Sequence, residues 1–320
     1  MRVPTPLLWL VGAALLPVPA PTQHAAELVV SVCLVVLLFD GGRGIGLPRF
    51  RTAAWPILGL GVLGTALTVV GTAAAAYLVL DTSWYLAALL GIALAPTDPA
   101  VVFSVVKPQD GRGGTVLEGE SGANDPVGIA LLAALLAAGS LSAGALGDAA
   151  VDFALQLGVG AAVGVVGGLA LRRLPGLVAL VAAFGLFALA DVAHGSGFLA
   201  VFVAGIVTGD LTSHVHRFVG TAGEAVAFVA LGLTIPVESS ALLPGLALFG
   251  AVVVVRVVTC WPFVLGLTRP ERRFVLLCGL KGAVPLLLGS QIGDHRLYAV
   301  TTVVVVLSVL VQGAAVHRSA

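Results

Sequence analysis

The sequence predicts an all-α polytopic membrane protein, and three observations predict it. The chain is 59% hydrophobic and 10% charged over 320 residues, with a mean hydropathy of +1.10; a soluble domain carries about 25% charged residues. Its apolar runs are about 20 residues long, which suits a membrane helix, whereas barrel strands need about ten alternating residues. Its basic residues are divided very unevenly between alternate loops. Net charge is zero, so no nucleic-acid or acidic-surface partner is encouraged.

Twelve spans are predicted, at residues 3–20, 25–41, 53–79, 84–106, 115–139, 148–171, 175–192, 196–210, 217–236, 241–266, 272–292 and 296–316. Placing alternate loops in the cytoplasm, starting with the N-terminus, collects Arg2, Arg43, Arg49, Arg51, Lys107, Arg112, Arg172, Arg173, Arg217, Arg269, Arg272, Arg273 and Arg318, 13 of the 16 basic residues. The other side holds only Arg296, while Arg256 and Lys281 fall within spans. This asymmetry puts both termini in the cytoplasm, and the protein is expected, multi-pass, in the plasma membrane. Residues 1–20 read as a short first helix, with a cleaved leader ending near Ala20 as the alternative. Residues 1–320 read as one membrane domain. Cys33, Cys260 and Cys278 lie in apolar runs and read as small buried hydrophobes, not a disulfide or metal framework.

Ionisable residues inside spans carry the functional signal. Asp40, Asp98, Glu118, Glu120, Asp125, Arg256 and Lys281 all fall there, and each costs about 2.5–3.5 kcal/mol at a helix centre on insertion scales. Asp125 is ten residues into its span, about 15 Å deep at about 1.5 Å per residue. Asp98 is fourteen residues into a span of opposite direction, and Arg256 fifteen into its own. Three ionisable groups from three spans thus reach one level. Glu118, nearer the cytoplasmic end, reads as solvated.

Two of these spans are predicted to be interrupted. In "LAPTDPAV" (94–101), Asp98 before Pro99 is an N-cap residue followed by proline at the first helical position. "GLKGAVPLL" (279–287) brings Gly279, Gly282 and Pro285 into a span of the other direction. Freed backbone at membrane depth is tolerated where it lines a cavity or is buried in protein, and paired interrupted spans point to an inverted-repeat transporter. On that reading residues 1–139 are the first repeat, 148–171 a linker helix and 175–316 the second repeat, the first having one helix fewer.

"APTDPAVVFSV", "LEGESGANDPVGIA", "GLKGAVPLL", "LLFDGG" and "GSGFLAVFVAGIVTGD" together resemble the motifs of the monovalent cation:proton antiporter-1 family, the NhaP-type and eukaryotic sodium/proton exchangers. Among these the first two look most like bacterial potassium/proton antiporters of the cell-volume-regulation type. The resemblance implies an inverted-repeat antiporter fold with two discontinuous crossing helices, and a homodimer in the lipid bilayer. It implies K⁺ or Na⁺ and H⁺ as the transported ions and no cofactor. Its ion site carries onto Asn124, Asp125, Thr97 and Asp98, with Ser121 as a further oxygen ligand, so that a monovalent cation sits at Asp98 and Asp125. Asp40 falls in or near a cytoplasmic funnel. Glu120 and Arg256 match a structural ion pair. The chain departs from the family in having Lys281 where arginine is usual, "LLFD" for "LLFE", and twelve helices for thirteen.

The residue types suit that chemistry. A dehydrated monovalent cation needs oxygen ligands and a negative charge, a proton needs a base, and one buried carboxylate serves both because the two ions compete for it. On a helix Ser121 and Asp125 share a face at i,i+4, while Glu120 is turned about 140° from Asp125. Lys281 and Asp98 would offset the helix dipoles at the breaks, with snorkelling of Lys281 towards the cytoplasm as the alternative. A neutral Asn124 leaves one negative charge on that turn; by resemblance this goes with one cation per proton, hence electroneutral exchange. An enzyme is not expected, since no Ser-His pairing, HExxH or catalytic carboxylate dyad is found at depth. A cation channel and a transport-inactive remnant of the family are the alternatives to an antiporter.

Overall fold

Proline, glycine and hydroxyl caps set the helix ends. In the computed structural model, which describes residues 4–105, 111–209 and 214–319, the described residues form helices and connecting turns with no strand. Arg2, Lys107 and the span ends at 3, 106 and 210 lie outside the described residues. The helices are α1 (Thr5–Ala14), α2 (Gln23–Leu58), α3 (Thr65–Leu80), α4 (Trp84–Ala93), α5 (Pro99–Val105), α6 (Arg112–Ala138), α7 (Ala143–Leu171) and α8 (Gly176–Val192). They continue with α9 (Gly197–Thr208), α10 (His214–Gly232), α11 (Leu242–Cys260), α12 (Arg269–Leu277), α13 (Ala283–Gln291), α14 (His295–Leu307) and α15 (Gly313–Ser319).

Five helices on the side with few basic residues start alike. Thr22, Ser83, Ser142, Ser196 and Asp294 each accept a hydrogen bond from the backbone N–H three residues on, giving α2, α4, α7, α9 and α14 a satisfied first turn. On the opposite side Thr268 and Glu271 form a reciprocal capping box at α12. Hydrogen bonds from Thr268 hold the Glu271 carboxyl below its usual range.

One predicted span is corrected, and one connection is tighter than expected. Span 3–20 contains only the ten-residue α1, because Pro17, Pro19 and Pro21 follow closely and cannot continue a helix. The predicted connection between spans 25–41 and 53–79 is short: Gln23–Leu58 holds two helical stretches that meet at a kink at Gly46, where φ is 62° and the backbone leaves helical geometry, with Pro48 just beyond; a wider π-helical turn, Gly59–Gly64, then passes the chain into α3. Five described stretches are long and apolar enough to cross a membrane by length and composition: Gln23–Leu80, Arg112–Ala138, Ala143–Leu171, Ser239–Val264 and His295–Val316. Large apolar side chains such as Leu78, Val166, Val181 and Val254 are mostly exposed on the outside of the bundle, as suits a lipid solvent.

Packing divides the helices into two groups. One gathers α1, α2, α8, α9 and α10, with α7 lying on α9. Here α2 and α9 cross closely enough that a Cβ on Gly42 would lie 3.1 Å from Gly205 Cα, and the reverse. The other gathers α3, α4, α6, α11, α12, α13 and α14. Each has its own apolar core: Phe39, Ala183 and Val201 in the first, Leu90, Leu248 and Val300 in the second. Both groups draw helices from the beginning and the end of the chain. Contacts of α2, α7 and α9 with α6 join the two groups, as do those of α10 with α13 and of α1 with α5, and the candidate site lies along this seam.

Candidate functional site

Two helices that should cross the bundle stop inside it. The chain leaves helix at Ala93 and re-enters at Pro99; it leaves again at Leu277 and re-enters at Ala283. The two breaks meet, and the Asp98 N–H donates to the Leu280 carbonyl at 2.8 Å. Each break frees carbonyls at the end of one half-helix and N–H groups at the start of the next.

Two buried cations attend to the carbonyl ends. Lys281 Nζ donates to the Ala95 and Pro96 carbonyls, both at 3.1 Å, just past the end of α4. Its side chain is 1% exposed, so it points into the crossing and does not snorkel. Arg256 donates to the Val275 carbonyl at 3.1 Å near the end of α12. Positive charge at a helix C-terminus is favoured by the dipole. At the other ends stands Asp98, whose Oδ1 accepts from the Val101 N–H at 3.4 Å at the start of α5. Its carboxylate also lies over Gly282, immediately before α13, so closely that a Cβ at 282 would overlap it.

The facing helix α6 supplies the rest. Asn124 grips the first break at two points: its Oδ1 accepts from the Thr97 N–H at 3.3 Å and its Nδ2 donates to Thr97 Oγ1 at 2.9 Å. Ser121 Oγ donates to the Thr97 carbonyl. Glu120 is turned to the far side of α6 and meets Arg256 in a two-pronged pair, Nη1–Oε1 2.7 Å and Nη2–Oε2 3.1 Å. Asp125 differs from all of these. Its Oδ1 is buried and has no hydrogen-bond partner among the described residues. Asp98 and Lys281 are its charged neighbours.

A cavity of about 740 Å³ runs along the seam between the two helix groups to Asp125. Asp98, Ser121 and Asp125 line it; Thr97 and Asn124 do not, being occupied with each other. Asp40 lines it further out, and Arg49 and Glu118 stand near its mouth, paired at 3.1 Å. Of the residues singled out in the sequence, the structure therefore brings Asp98, Asp125, Ser121 and Asp40 to one cavity. It puts Thr97, Asn124 and Lys281 behind the wall and Glu120 with Arg256 on the reverse face. Glu118, expected to be solvated, is paired to Arg49. One cavity residue was missed: Glu224 on α10. It lies seven residues into the predicted span 217–236, and the criterion that selected Asp98 and Asp125, an ionisable group inside a span, selects it too.

Chemically, Asp98 and Asp125 form one set with the Lys281 ammonium behind them, apart from Glu224 on the opposite wall. A buried set with net charge −1 is neutralised by one proton or one monovalent cation.

Residues 2–319 match the model of the sodium/hydrogen exchanger transmembrane family. The chain is 31% identical over 332 residues to the K(+)/H(+) antiporter NhaP2 of Shewanella oneidensis, covering 92% of this chain and 57% of that protein. It is 31% identical to the K(+)/H(+) antiporter NhaP of Alkalimonas amylolytica (91% and 56% covered), and 28% identical to the Na(+)/H(+) antiporter NhaP of Pseudomonas aeruginosa (90% and 79%). The chain thus spans a little more than half the length of the K(+)/H(+) antiporters it matches. Its fold matches the solved sodium proton antiporter MjNhaP1 of Methanocaldococcus jannaschii with a TM-score of 0.78, at 20% identity, over 98% of this chain and 93% of that one.

Proposed function

The chain belongs to the sodium/hydrogen exchanger family, and from that premise we propose that it is a secondary active antiporter exchanging H⁺ for K⁺ or Na⁺ at Asp125. The observation that carries this reading is a buried Asp125 oxygen with no hydrogen-bond partner among the described residues, lining a cavity beside a crossing of two broken helices. A cation that gives up water there gains Asp125, Asp98 and Ser121 Oγ as oxygen ligands. Thr97 and Asn124 hold the break in shape, and Lys281 neutralises the carbonyls it reaches.

Exchange follows from charge. With Asp98 and Asp125 ionised and Lys281 protonated, the site is short of one positive charge, and the Glu120–Arg256 pair adds none. One cation or one proton fills it, so transport is electroneutral. The empty site is a net charge in a medium that penalises it strongly, so it does not cross, and cation flow is tied to proton flow. We take the group containing α3 to α6 and α11 to α14 as the moving bundle and the group around α2, α9 and α10 as the scaffold. The repeat boundaries 1–139 and 175–316, the cytoplasmic opening of the cavity and a homodimeric assembly are parts of the same reading. Since the similar Shewanella and Alkalimonas proteins are named K(+)/H(+) antiporters, K⁺ is the first cation to try.

The test is dissipation of an imposed pH gradient in proteoliposomes by K⁺ or Na⁺, with Asp125→Asn as control. The expected result is gradient collapse with at least one cation in the wild type and background rate in D125N, unaffected by a membrane potential. No collapse with either cation in the wild type rejects the reading; a potential-dependent rate rejects electroneutrality alone.

A further inference from the structure

The cavity has two unlike walls. One consists of α6 and the helix breaks, with Asp98 and Asp125. The other is scaffold: Leu34, Leu37 and Asp40 of α2, and Gly220, Thr221, Glu224 and Phe228 of α10. The α10 residues recur at one helical spacing, so they share a face. Their order gives depth. Gly220 stands level with Asp40, since a Cβ there would lie 3.3 Å from Asp40 Oδ2. Glu224 lies one turn further, about 6 Å along the axis. The next turn presents Phe228, 1% exposed, which also lines the cavity.

Among the described residues Glu224 forms no salt bridge in this wall. Its Oε1 is buried and has no hydrogen-bond partner among the described residues. The charged group that acts on it is another carboxylate, Asp98, across the seam. Two carboxylates facing each other at low dielectric repel unless a positive charge stands between them. A residue serving only to pack α10 onto α2 would not require a charge here, as neighbouring Ala225, Ala227 and Phe228 illustrate.

We propose that Glu224 is a loading carboxylate: a seat on the scaffold wall, shared with Asp98, where the arriving monovalent cation sheds water before it passes to Asp125. This rests on the antiport reading above and adds a direction to it. Asp98 and Asp125 belong to the group taken to move, whereas Glu224 belongs to α10, which packs on α1 and α2. Glu224 therefore faces the ion only while this cavity is open and is left behind when the bundle moves. Its influence is one-sided. Asp125, carried across, acts on both sides.

The experiment compares the two faces of the membrane. Everted and right-side-out vesicles are loaded to measure the KM for K⁺ and Na⁺ at each face, for wild type, E224Q and E224D. The expected result for E224Q is a KM raised about tenfold at the cavity face, the size of one charge-assisted contact. The maximal rate falls far less, and the KM at the opposite face does not move. E224D, with the charge retained on a shorter stem, recovers part of the affinity. Unchanged KM values in E224Q overturn the inference while leaving antiport intact. Equal losses at both faces, or E224D behaving as E224Q, overturn it in favour of a packing role. Wild-type vesicles that exchange neither cation overturn the antiport reading and this role with it.

Discussion

Glu120 and Asp125 are both acidic, both deep in the bundle and only five residues apart on α6, yet they live in opposite circumstances. Glu120 has both oxygens matched by Arg256, at 2.7 and 3.1 Å. Asp125 has an oxygen with no hydrogen-bond partner among the described residues and a cavity in front of it. The helical period produces this contrast, because five residues rotate a side chain about 140°, from the helix–helix interface to the seam. Buried charge alone therefore does not identify a working residue in this protein. A carboxylate with a permanent partner has no place for an ion, and one without has nothing else to hold.

Breaking the paired side has the largest expected effect. Arg256→Ala leaves Glu120 ionised in a dry interface and frees the Val275 carbonyl, which should cost about 3–5 kcal/mol. It should appear as a large drop in the thermal midpoint of detergent-solubilised protein, with little monodisperse material. Glu120→Gln combined with Arg256→Gln should recover much of that loss, since no lone charge remains. Asp125→Asn is the mirror experiment. It removes no hydrogen bond at Oδ1 and replaces an unmatched charge with a neutral amide, so its midpoint should equal or exceed the wild type although exchange is gone. A D125N protein as unstable as R256A would erase the distinction between the two acids.

Gly282→Ala comes next, because it touches the working side from behind. The new methyl group would occupy the position of the Asp98 carboxylate, at the start of α13. Overpacking of this kind costs about 1–3 kcal/mol, and the displaced Asp98 should weaken cation affinity more than it slows turnover. A KM split measured beside wild type checks this; unchanged KM would mean that Asp98 does not face the ion. Asn124→Ala should cost a comparable or slightly smaller amount, about 1–3 kcal/mol, since it orphans the buried Thr97 N–H. Thermal unfolding measures it.

Much of this was legible in the sequence for a local reason. Asp98-Pro99 and Gly279, Gly282 and Pro285 break helices through their own backbone chemistry, and the 140° between Glu120 and Asp125 needs only the helical period. What required three dimensions was partnership. Nothing in the spacing says that Asn124 turns its whole amide to Thr97, or that Lys281 reaches the carbonyls of Ala95 and Pro96 some 185 residues away in sequence. The pairing of Glu120 with Arg256, 136 residues apart, came from family resemblance and not from pattern. That residues 42–52 are helical on both sides of one non-helical residue, Gly46, was missed because arginines and glycines there read as a loop. Glu224 was missed although it meets the criterion that selected Asp98 and Asp125, an ionisable group inside a span, because no helix-breaking proline beside it drew the reading there.

The third acid of α6 gives the smallest effect and completes the series. Glu118 is paired like Glu120, through Arg49 at 3.1 Å, but the two side chains are 26% and 46% exposed. Water and salt then screen the pair, and holding two long side chains together costs entropy, so such bridges contribute about 0–1 kcal/mol. Arg49→Gln should shift the thermal midpoint slightly, and the shift should shrink further as salt is raised. If it instead approaches that of R256A, exposure is not what separates the two pairs. The Arg49 contacts to Thr115 Oγ1 at 3.0 Å and the Gly44 carbonyl at 2.9 Å would then be the true tie between the bend in α2 and the start of α6.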